Sequence, residues 1–515
     1  MTYRRSIAVV VILCAALAVI GRCNRLPDLG TRAISTAITD TGATRLGKAV
    51  APLVVAHPGH SGIYPLRDAR DAFAARFLLA SAAERSLDVQ YYIWRNDMSG
   101  TLLFKAMFDA AQQGVRVRLL LDDNNTSGLD TILAALDSHA RIEVRLFNPF
   151  AVRRPRALGY VTGFARLNRR MHNKSFTADN QVTIVGGRNV GDEYFGATDG
   201  VLFSDLDVIA VGPVVRETST DFDRYWASAS SYPAQLILPS VDAAQIGVVT
   251  SAAERVERDP AAVAYMNALH ASPFVRELIG GRLPLEWGPV SLISDDPAKG
   301  LGRAAQEDLI VAKLKQVFGN PSERMGLISP YFVPGKAGVE LFTGWTRRGM
   351  QVRILTNSLE ATDVAAVHAG YARRRKALLA AGVTLYELRR SPGARPASGS
   401  GPFGSSGSSL HAKTFAVDGA RAFVGSFNFD PRSAQLNTEM GFAIHCPALA
   451  GRVETAFNES IPFNSYEVRL SEEGELYWLE RHGGSVIRHD TEPGTTALQR
   501  ASVQFLCLLP IEWLL

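Results

Sequence analysis

Cysteine is scarce in this chain. The four present, Cys14, Cys23, Cys446 and Cys507, have no paired spacing, so neither a disulfide framework nor a zinc site organises the fold. Charge of one sign is also lacking. Fifty-five basic side chains stand against 50 acidic ones, a net +5 over 515 residues. That mild excess suits an anionic membrane surface or a phosphate-bearing substrate, and it does not single out nucleic acid. Long apolar runs are missing except at the start, where Arg4 and Arg5 precede the fourteen residues Ile7 to Ile20. A span needs about 20 residues, whereas a signal-peptide core is of this length. Residues 1–23 therefore read as a signal peptide or as a short retained anchor. Ile20-Gly21-Arg22-Cys23 has the outline of a lipidation site, but Arg22 stands where a small residue belongs.

After a low-information linker at 24–55, helical and strand patterns alternate. DARDAFAARFLLASAAERS predicts a helix, SLDVQYYIW a strand, GTLLFKAMFDAAQQG a helix and VRVRLLLDD a buried strand. The order returns in the second half, where EDLIVAKLKQVF, MGLISPYFV, GVELFTGWTRRG and QVRILTN are followed by a long helix from about Glu360 to Ala381. Tyr331 follows Tyr92 by 239 positions, and His411 follows His172 by the same 239. The chain thus reads as an internal duplication of one α/β unit, each copy a mixed sheet covered by helices. The expected domains are 56–232 and 286–515, joined by a connector at 233–285. A Gly/Ser/Pro-rich stretch, 391–409, interrupts the second and cannot pack a core. The apolar tail Val503 to Leu515 is broken by Pro510. Packing on the second domain is its default reading and a membrane-touching tail the sharper one.

The duplication is sharpest in two short stretches, HNKSFTADNQVTIVGGRN from His172 to Asn189 and HAKTFAVDGARAFVGSFN from His411 to Asn428. H-x-K-x4-D alone arises by chance in roughly one chain in fifteen of this length. Two copies, each closed by Gly-x-x-Asn at the same offset, do not. In an extended chain residues two apart share a face, so His172 projects with Lys174 and His411 with Lys413. Asp418-Gly419 is a hairpin signal and Asp179-Asn180 a weaker one. The returning strands VTIVG and AFVG bring Asn189 and Asn428 back beside the pairs. Imidazole, ammonium and carboxamide converging on one spot make a phosphate site. Lys supplies a point charge, Asn a neutral donor, and His a nucleophile or a proton donor.

H-x-K-x4-D followed by G-S-x-N, present twice, resembles the signature of the phospholipase D superfamily. Gly187 replaces the usual Ser in the first copy, and Ser426 keeps it in the second. LDVQYYIWRNDMSG, VRLLLDDNNTSGLD, RLNRRMHNKSF and LNTEMGF extend the likeness to the bacterial cardiolipin synthases of the C branch, from about residue 55 onward. The resemblance implies two mixed-sheet domains flanked by helices that share one central active site. It implies a covalent mechanism in which His172 attacks phosphorus and His411 protonates the leaving alcohol. Lys174, Lys413, Asn189, Ser426 and Asn428 would hold the phosphate oxygens. No metal or other cofactor is called for, since two ammonium groups supply the charge. Glu439 and, by alignment of SDLD with LNTE, Asp207 would orient the histidines.

Asp179 and Asp418 belong to the motif, although their turn positions suit hairpin shaping better than chemistry. Tyr92, Tyr331, His368 and Tyr371 are candidates for lining the cleft, with core packing the bland alternative for each. Arg188 and Arg432 adjoin the motifs and are candidates for contact with phosphate or the acceptor headgroup, with an exposed arginine beside a basic cleft the bland alternative. The implied partners are phosphatidylglycerol, a second phospholipid such as phosphatidylethanolamine, a bacterial membrane and an accessory protein. The implied reaction is phosphatidyl transfer. Hydrolysis to phosphatidic acid is the alternative, and a nuclease or a catalytically silent membrane-binding protein the remoter ones.

Overall fold

The computed structural model describes residues 25–390 and 410–515 apart from 31, 198–203, 243, 244, 246 and 483. The expected leader and the Gly/Ser-rich stretch lie outside the described residues.

The first sheet holds nine strands: β1 (Ser61–Leu66), β2 (Ser86–Ile93), β3 (Arg116–Asn125), β4 (Ile142–Phe147), β5 (Ser175–Ala178), β6 (Val182–Gly186), β7 (Asp207–Val211), β8 (Ser231–Pro233) and β9 (Glu286–Gly288). The second holds β10 (Val290–Ser294), β11 (Arg324–Ile328), β12 (Gln351–Asn357), β13 (Thr384–Leu388), β14 (Thr414–Val417), β15 (Arg421–Gly425), β16 (Met440–His445), β17 (Ser465–Leu470), β18 (Leu476–His482) and β19 (Ser485–His489). Side by side, β4-β3-β2-β5-β6-β7-β1 repeats as β13-β12-β11-β14-β15-β16-β10. In both copies the first three strands run parallel and the rest antiparallel. The duplication expected from sequence is therefore a duplication of topology, in two mixed sheets with helices packed on them.

The boundaries differ from the expected ones. Residues 45–56, placed in a linker, form a helix capped by Thr44. The connector is not a spacer, because Val249, Tyr265, Leu269, Phe274 and Val275 are buried in the first core. The residues that follow it, Glu286–Gly288, form β9, which pairs with β1 in the first sheet, so the second sheet opens at Val290 and not at 286. Irregular helical periodicity hid this, since three short helices with narrow apolar faces read as a linker until a core is there to receive them. The long helix runs Ala365–Ala380, and the tail forms a helix over Ala497–Leu508.

The two halves meet sheet to sheet. Val185, Val208 and Ala210 of the first share an apolar cluster with Val424, Phe442 and Ile444 of the second. Both hairpins turn through two central residues at positive φ, Asp179 (51°) with Asn180 (52°) and Asp418 (52°) with Gly419 (62°). Tight hairpin turns demand this conformation. Asp179 accepts the N–H groups of Glu84, Arg85 and Ser86 at 3.0, 2.7 and 3.0 Å. Asp418 accepts those of Ser322, Glu323 and Arg324 at 3.1, 2.9 and 3.1 Å. Each carboxylate thus staples its hairpin to the start of the neighbouring strand. Each also sits at the end of its strand away from the His-Lys pair, roughly 15 Å along the chain. Both motif aspartates, members of the motif in sequence, thus have architectural partners here.

Replacing Asp179 by Ala leaves three N–H groups without their acceptor, that of Ser86 buried and those of Glu84 and Arg85 partly so. It is expected to cost about 2–3 kcal/mol of stability, with turnover per folded molecule retained. Chemical denaturation read beside activity checks this, and a loss of turnover at unchanged stability would return Asp179 to the chemistry.

Candidate active site

Each His-Lys pair sits on the extended segment leading into a central strand, β5 or β14. The segment is pinned by the other half of the chain. His172 N–H donates to Thr438 O at 2.9 Å and Thr438 N–H to Arg170 O at 2.9 Å. His411 N–H donates to Ser204 O at 2.9 Å. The side chains cross in the same way. His172 Nδ1 lies 2.8 Å from Glu439 Oε2, and His411 Nδ1 lies 2.6 Å from Asp205 Oδ2. Every histidine is oriented by a carboxylate from the opposite half, carried on the loop entering β7 or β16.

Two expectations change here. Glu439 orients the first-half histidine, although it follows the second in sequence. Asp207 orients neither: its carboxylate meets the buried guanidinium of Arg76 at 2.7 Å and that of Arg188 at 3.5 Å. Its neighbour Asp205 takes the role. SDLD offers two aspartates, and only the point where β7 begins decides between them. The Ser-to-Gly departure also acquires a reason. In the second half Ser426 Oγ donates to Glu439 Oε2 at 2.5 Å. In the first half a Cβ on Gly187 would lie 2.2 Å from Asp205 Oδ1. Glycine leaves the room that the shorter acid occupies. Ser426 is accordingly a carboxylate partner and not a phosphate ligand.

The remaining candidates divide. Tyr92, His172, Tyr331, His411, Lys413 and Asn428 line one pocket. The Tyr92 ring stands edge-on to His172 with centroids 4.9 Å apart, and Lys174 Nζ lies 5.5 Å from the Tyr92 centroid. Each lysine ammonium donates to the carbonyl of its own histidine, Lys174 to His172 and Lys413 to His411. Asn189 is held away from substrate, accepting from Ile93 N–H at 3.2 Å and donating to Tyr194 Oη at 3.1 Å. His368 and Tyr371 do not reach the pocket. His368 is buried against Glu492 at 3.0 Å, and Tyr371 packs in the second core with Phe332. Their helix turns that face toward the sheet and the tail. Arg188 is buried on the carbonyls of Leu66, Arg67 and Asp205.

Sequence reasoning passed over Tyr194, whose ring lies edge-on to His411 at 5.2 Å, and the pocket residues Asp430 and Asn437. It also passed over Leu514 and Leu515, the last two residues, which close the pocket wall. Arg432 ties them in, donating to Leu514 O at 3.0 Å and to Asn168 O and Oδ1 at 3.1 and 2.8 Å. The pocket encloses about 80 Å³, the space of two or three waters at about 30 Å³ each. That volume suits a phosphoryl group.

Electrostatically the pocket is short of an anion. Burial and the ammonium groups of Lys174 and Lys413 hold the His172 imidazolium well below its ordinary range. Burial and Lys413 likewise push His411 down to about 3, with Asp205 opposing them. Burial also pushes Lys413 down to about 8, against Asp205 and Glu439, and Lys174 well below its usual value. The carboxylates split. Burial alone would raise Asp205, but His411, Lys413 and Arg188 bring it below the usual carboxylate range. Glu439 is pushed up to about 7 by burial, which Lys174 and Ser426 offset only in part. Among the described residues no cluster of three His, Cys, Asp or Glu side chains is arranged to hold a metal ion.

Two tests follow from this geometry. Gly187→Ala forces Asp205 off His411 and is expected to lower kcat at least roughly a hundredfold, while Ser426→Gly, which opens space, costs less. Comparison of kcat for the two variants at matched folding checks the asymmetry. Lys413 is charged below about pH 8 and loses its proton above it. kcat/KM should therefore fall as pH rises through that value. Lys413→Arg, which stays charged, should have lower activity without that alkaline limb. A limb that persists in the variant would assign it to another group.

The comparisons agree with the geometry. A family model described as "Cardiolipin synthase, PLD-like domain" matches twice, at residues 78–226 and 314–461. Cardiolipin synthase C of Escherichia coli (strain K12) is 52% identical over 481 residues, 92% of this chain and all of that protein. Cardiolipin synthase A of Pseudomonas entomophila (strain L48) is 25% identical over 429 residues, 82% of this chain and 73% of that one. The crystal structure of phosphatidylserine synthase from Haemophilus influenzae Rd KW20 superposes with a TM-score of 0.55 at 13% identity, covering 88% of this chain and 95% of that one, a likeness of fold. With the family model matched in both halves and a full-length relative above half identity, this chain belongs to the cardiolipin synthase family of phospholipase D-like proteins.

Proposed function

We propose that this chain is a membrane-associated bacterial phosphatidyltransferase. It makes cardiolipin from phosphatidylglycerol and a second phospholipid, with phosphatidylethanolamine a candidate, through a covalent phosphohistidine. The observation that carries the reading is the pair of crossed carboxylate–histidine bonds over a phosphoryl-sized pocket that holds Lys413. The pocket's rim supports a lipid over a nucleic acid. Val364, Val367, Leu514 and Leu515 border it, where a polynucleotide track would need a stripe of basic side chains. Behind the short helix Pro431–Gln435, whose Arg432 and Ser433 face the pocket, lies an apolar groove of about 490 Å³. Phe318, Leu341, Trp345, Phe427 and Phe429 line it, which gives acyl chains a place beside the phosphate.

With Nδ1–H given to a carboxylate, the nitrogen that attacks or carries a proton is Nε2. His172 Nε2 forms a bond to phosphorus. The P–O bond to the donor's headgroup alcohol breaks, and that oxygen takes the proton from His411. The acceptor's hydroxyl then attacks phosphorus, gives its proton back to His411 and breaks the N–P bond. The carboxylates support this division of labour. Asp205 stays ionised and stabilises an imidazolium on His411, which suits the acid. Glu439 is close to half-protonated near neutral pH and stabilises an imidazolium on His172 less, which suits the nucleophile. A bound phosphodiester supplies the negative charge that lets His411 hold its proton. Lys174, Lys413 and Asn428 stabilise charge on the non-bridging oxygens.

Phospholipids extracted from a host lacking its own cardiolipin synthases test this. Wild type should yield cardiolipin, and His172→Ala should lower it by roughly four orders of magnitude or more. His411→Ala keeps the nucleophile but lacks the acid, and should accumulate label on His172 only from a phosphodiester whose leaving group needs no proton, such as a p-nitrophenyl ester. Phosphatidic acid in place of cardiolipin identifies a hydrolase. No lipid change, from a folded membrane-bound protein, removes the lipid reading.

A further inference from the structure

The tail helix Ala497–Leu508 is apolar on two sides, and only one side is covered. Val503, Leu506 and Cys507 pack on Leu359 and Ala369. The opposite stripe faces solvent, with Leu498 77%, Phe505 62% and Leu508 81% exposed, and Trp513 beyond it 57% exposed. Positions 498, 501, 505 and 508 advance by three or four residues, so they form one continuous face of the helix. Isolated exposed leucines need no explanation, whereas an unbroken apolar stripe does.

The first half presents a counterpart. On helix Ala157–Leu167, Leu158, Val161 and Phe164 are 42, 56 and 44% exposed. The stretch 151–170 around it carries six arginines and no acidic residue. Arg432 joins the two elements at the pocket. It donates to Asn168, the C-cap of that helix, and to Leu514 of the tail, and it lines the pocket itself. One unpartnered apolar face from each half is thus anchored at the catalytic rim.

We propose that these two faces are a docking surface for a lipid bilayer bearing anionic headgroups, which seats the pocket's mouth at the membrane interface. The inference rests on the lipid reading of the site and names where the membrane lies. Arg153, Arg156 and Arg170 are paired with Asp122, Asp123 and Asp130, whereas Arg154, Arg166 and Arg169 meet no acidic side chain among the described residues, and the exposed Arg154 fits anionic headgroups. Phe and Trp beside leucines on a short helix are the composition that lies in the interfacial plane. Among the described residues no helix is long and apolar enough to cross a membrane, so this contact lies on the bilayer.

The test uses the full chain and vesicles of phosphatidylethanolamine and phosphatidylglycerol, with and without brominated acyl chains. Leu498→Gln, Phe505→Gln and Leu508→Gln are combined. The N-terminal apolar run is common to all variants, so any difference reads the stripe. The triple variant should turn over vesicle lipids roughly tenfold more slowly and short-chain monomeric phosphatidylglycerol at the wild-type rate. Brominated chains should quench a component of emission that Trp513→Phe lacks. Equal vesicle turnover by the triple variant overturns the proposal, as does a parallel loss on the monomeric lipid. A stripe that serves a protein partner or a second copy gives no Trp513-dependent quenching, and that result also overturns it. If wild type makes no cardiolipin from either substrate, the catalytic reading fails while the quenching still decides the docking.

Discussion

Each histidine of this site is useful only because a carboxylate from the other half of the chain holds it. The His172–Glu439 and His411–Asp205 bonds, at 2.8 and 2.6 Å, cross the interface between the two copies. The backbone does the same through Thr438 and Ser204. Neither copy could position its own histidine alone, so the sheet-to-sheet packing of Val185, Val208 and Ala210 against Val424, Phe442 and Ile444 is a catalytic requirement as much as a structural one. A shift between the sheets would break both orienting bonds together, which ties the chemistry to an apolar interface remote from the phosphate.

The same crossing explains what was legible in the sequence and what was not. A period of two sets which side chains share a face, so His172 with Lys174 and His411 with Lys413 could be read directly, as could the turns at Asp179-Asn180 and Asp418-Gly419. The 239-residue offset announced a repeated topology. Nothing local encodes which half will face which histidine, and Glu439 follows His411 in its own copy yet meets His172 of the other. The choice of Asp205 over Asp207 depends on a strand boundary two residues away, finer than periodicity resolves. Burial misled in a different way. His368 and Tyr371 lie on a helix whose inner face is apolar, polar and aromatic by turns, and only the packing of Glu492 and Phe332 shows that this face meets the core. The tail gave no signal at all for Leu514 and Leu515, because closure of the pocket depends on a contact with Arg432.

Charge is the other constraint. Two lysines, two histidines and two carboxylates are buried within one cluster, at a desolvation cost that the ion pairs repay only in part. The protein settles this by holding both imidazoles neutral and lowering both ammonium pKa values. Such a cluster is poised for an anion, since a phosphodiester restores the charge balance and raises the proton affinity of the ring that must act as acid. Binding of a phosphodiester and protonation of His411 are then coupled.

The proposed division of labour between nucleophile and acid coincides with one difference between the copies. Gly187 admits the short Asp205, which Arg188 and Lys413 keep ionised. Ser426 instead gives its hydroxyl to the longer Glu439, whose pKa burial has moved up to about 7. An ionised partner favours an imidazolium, and a half-protonated one does not. In the proposed mechanism the two histidines act in different protonation states once the phosphodiester is bound, and Gly187 opposite Ser426 marks the difference between their partners.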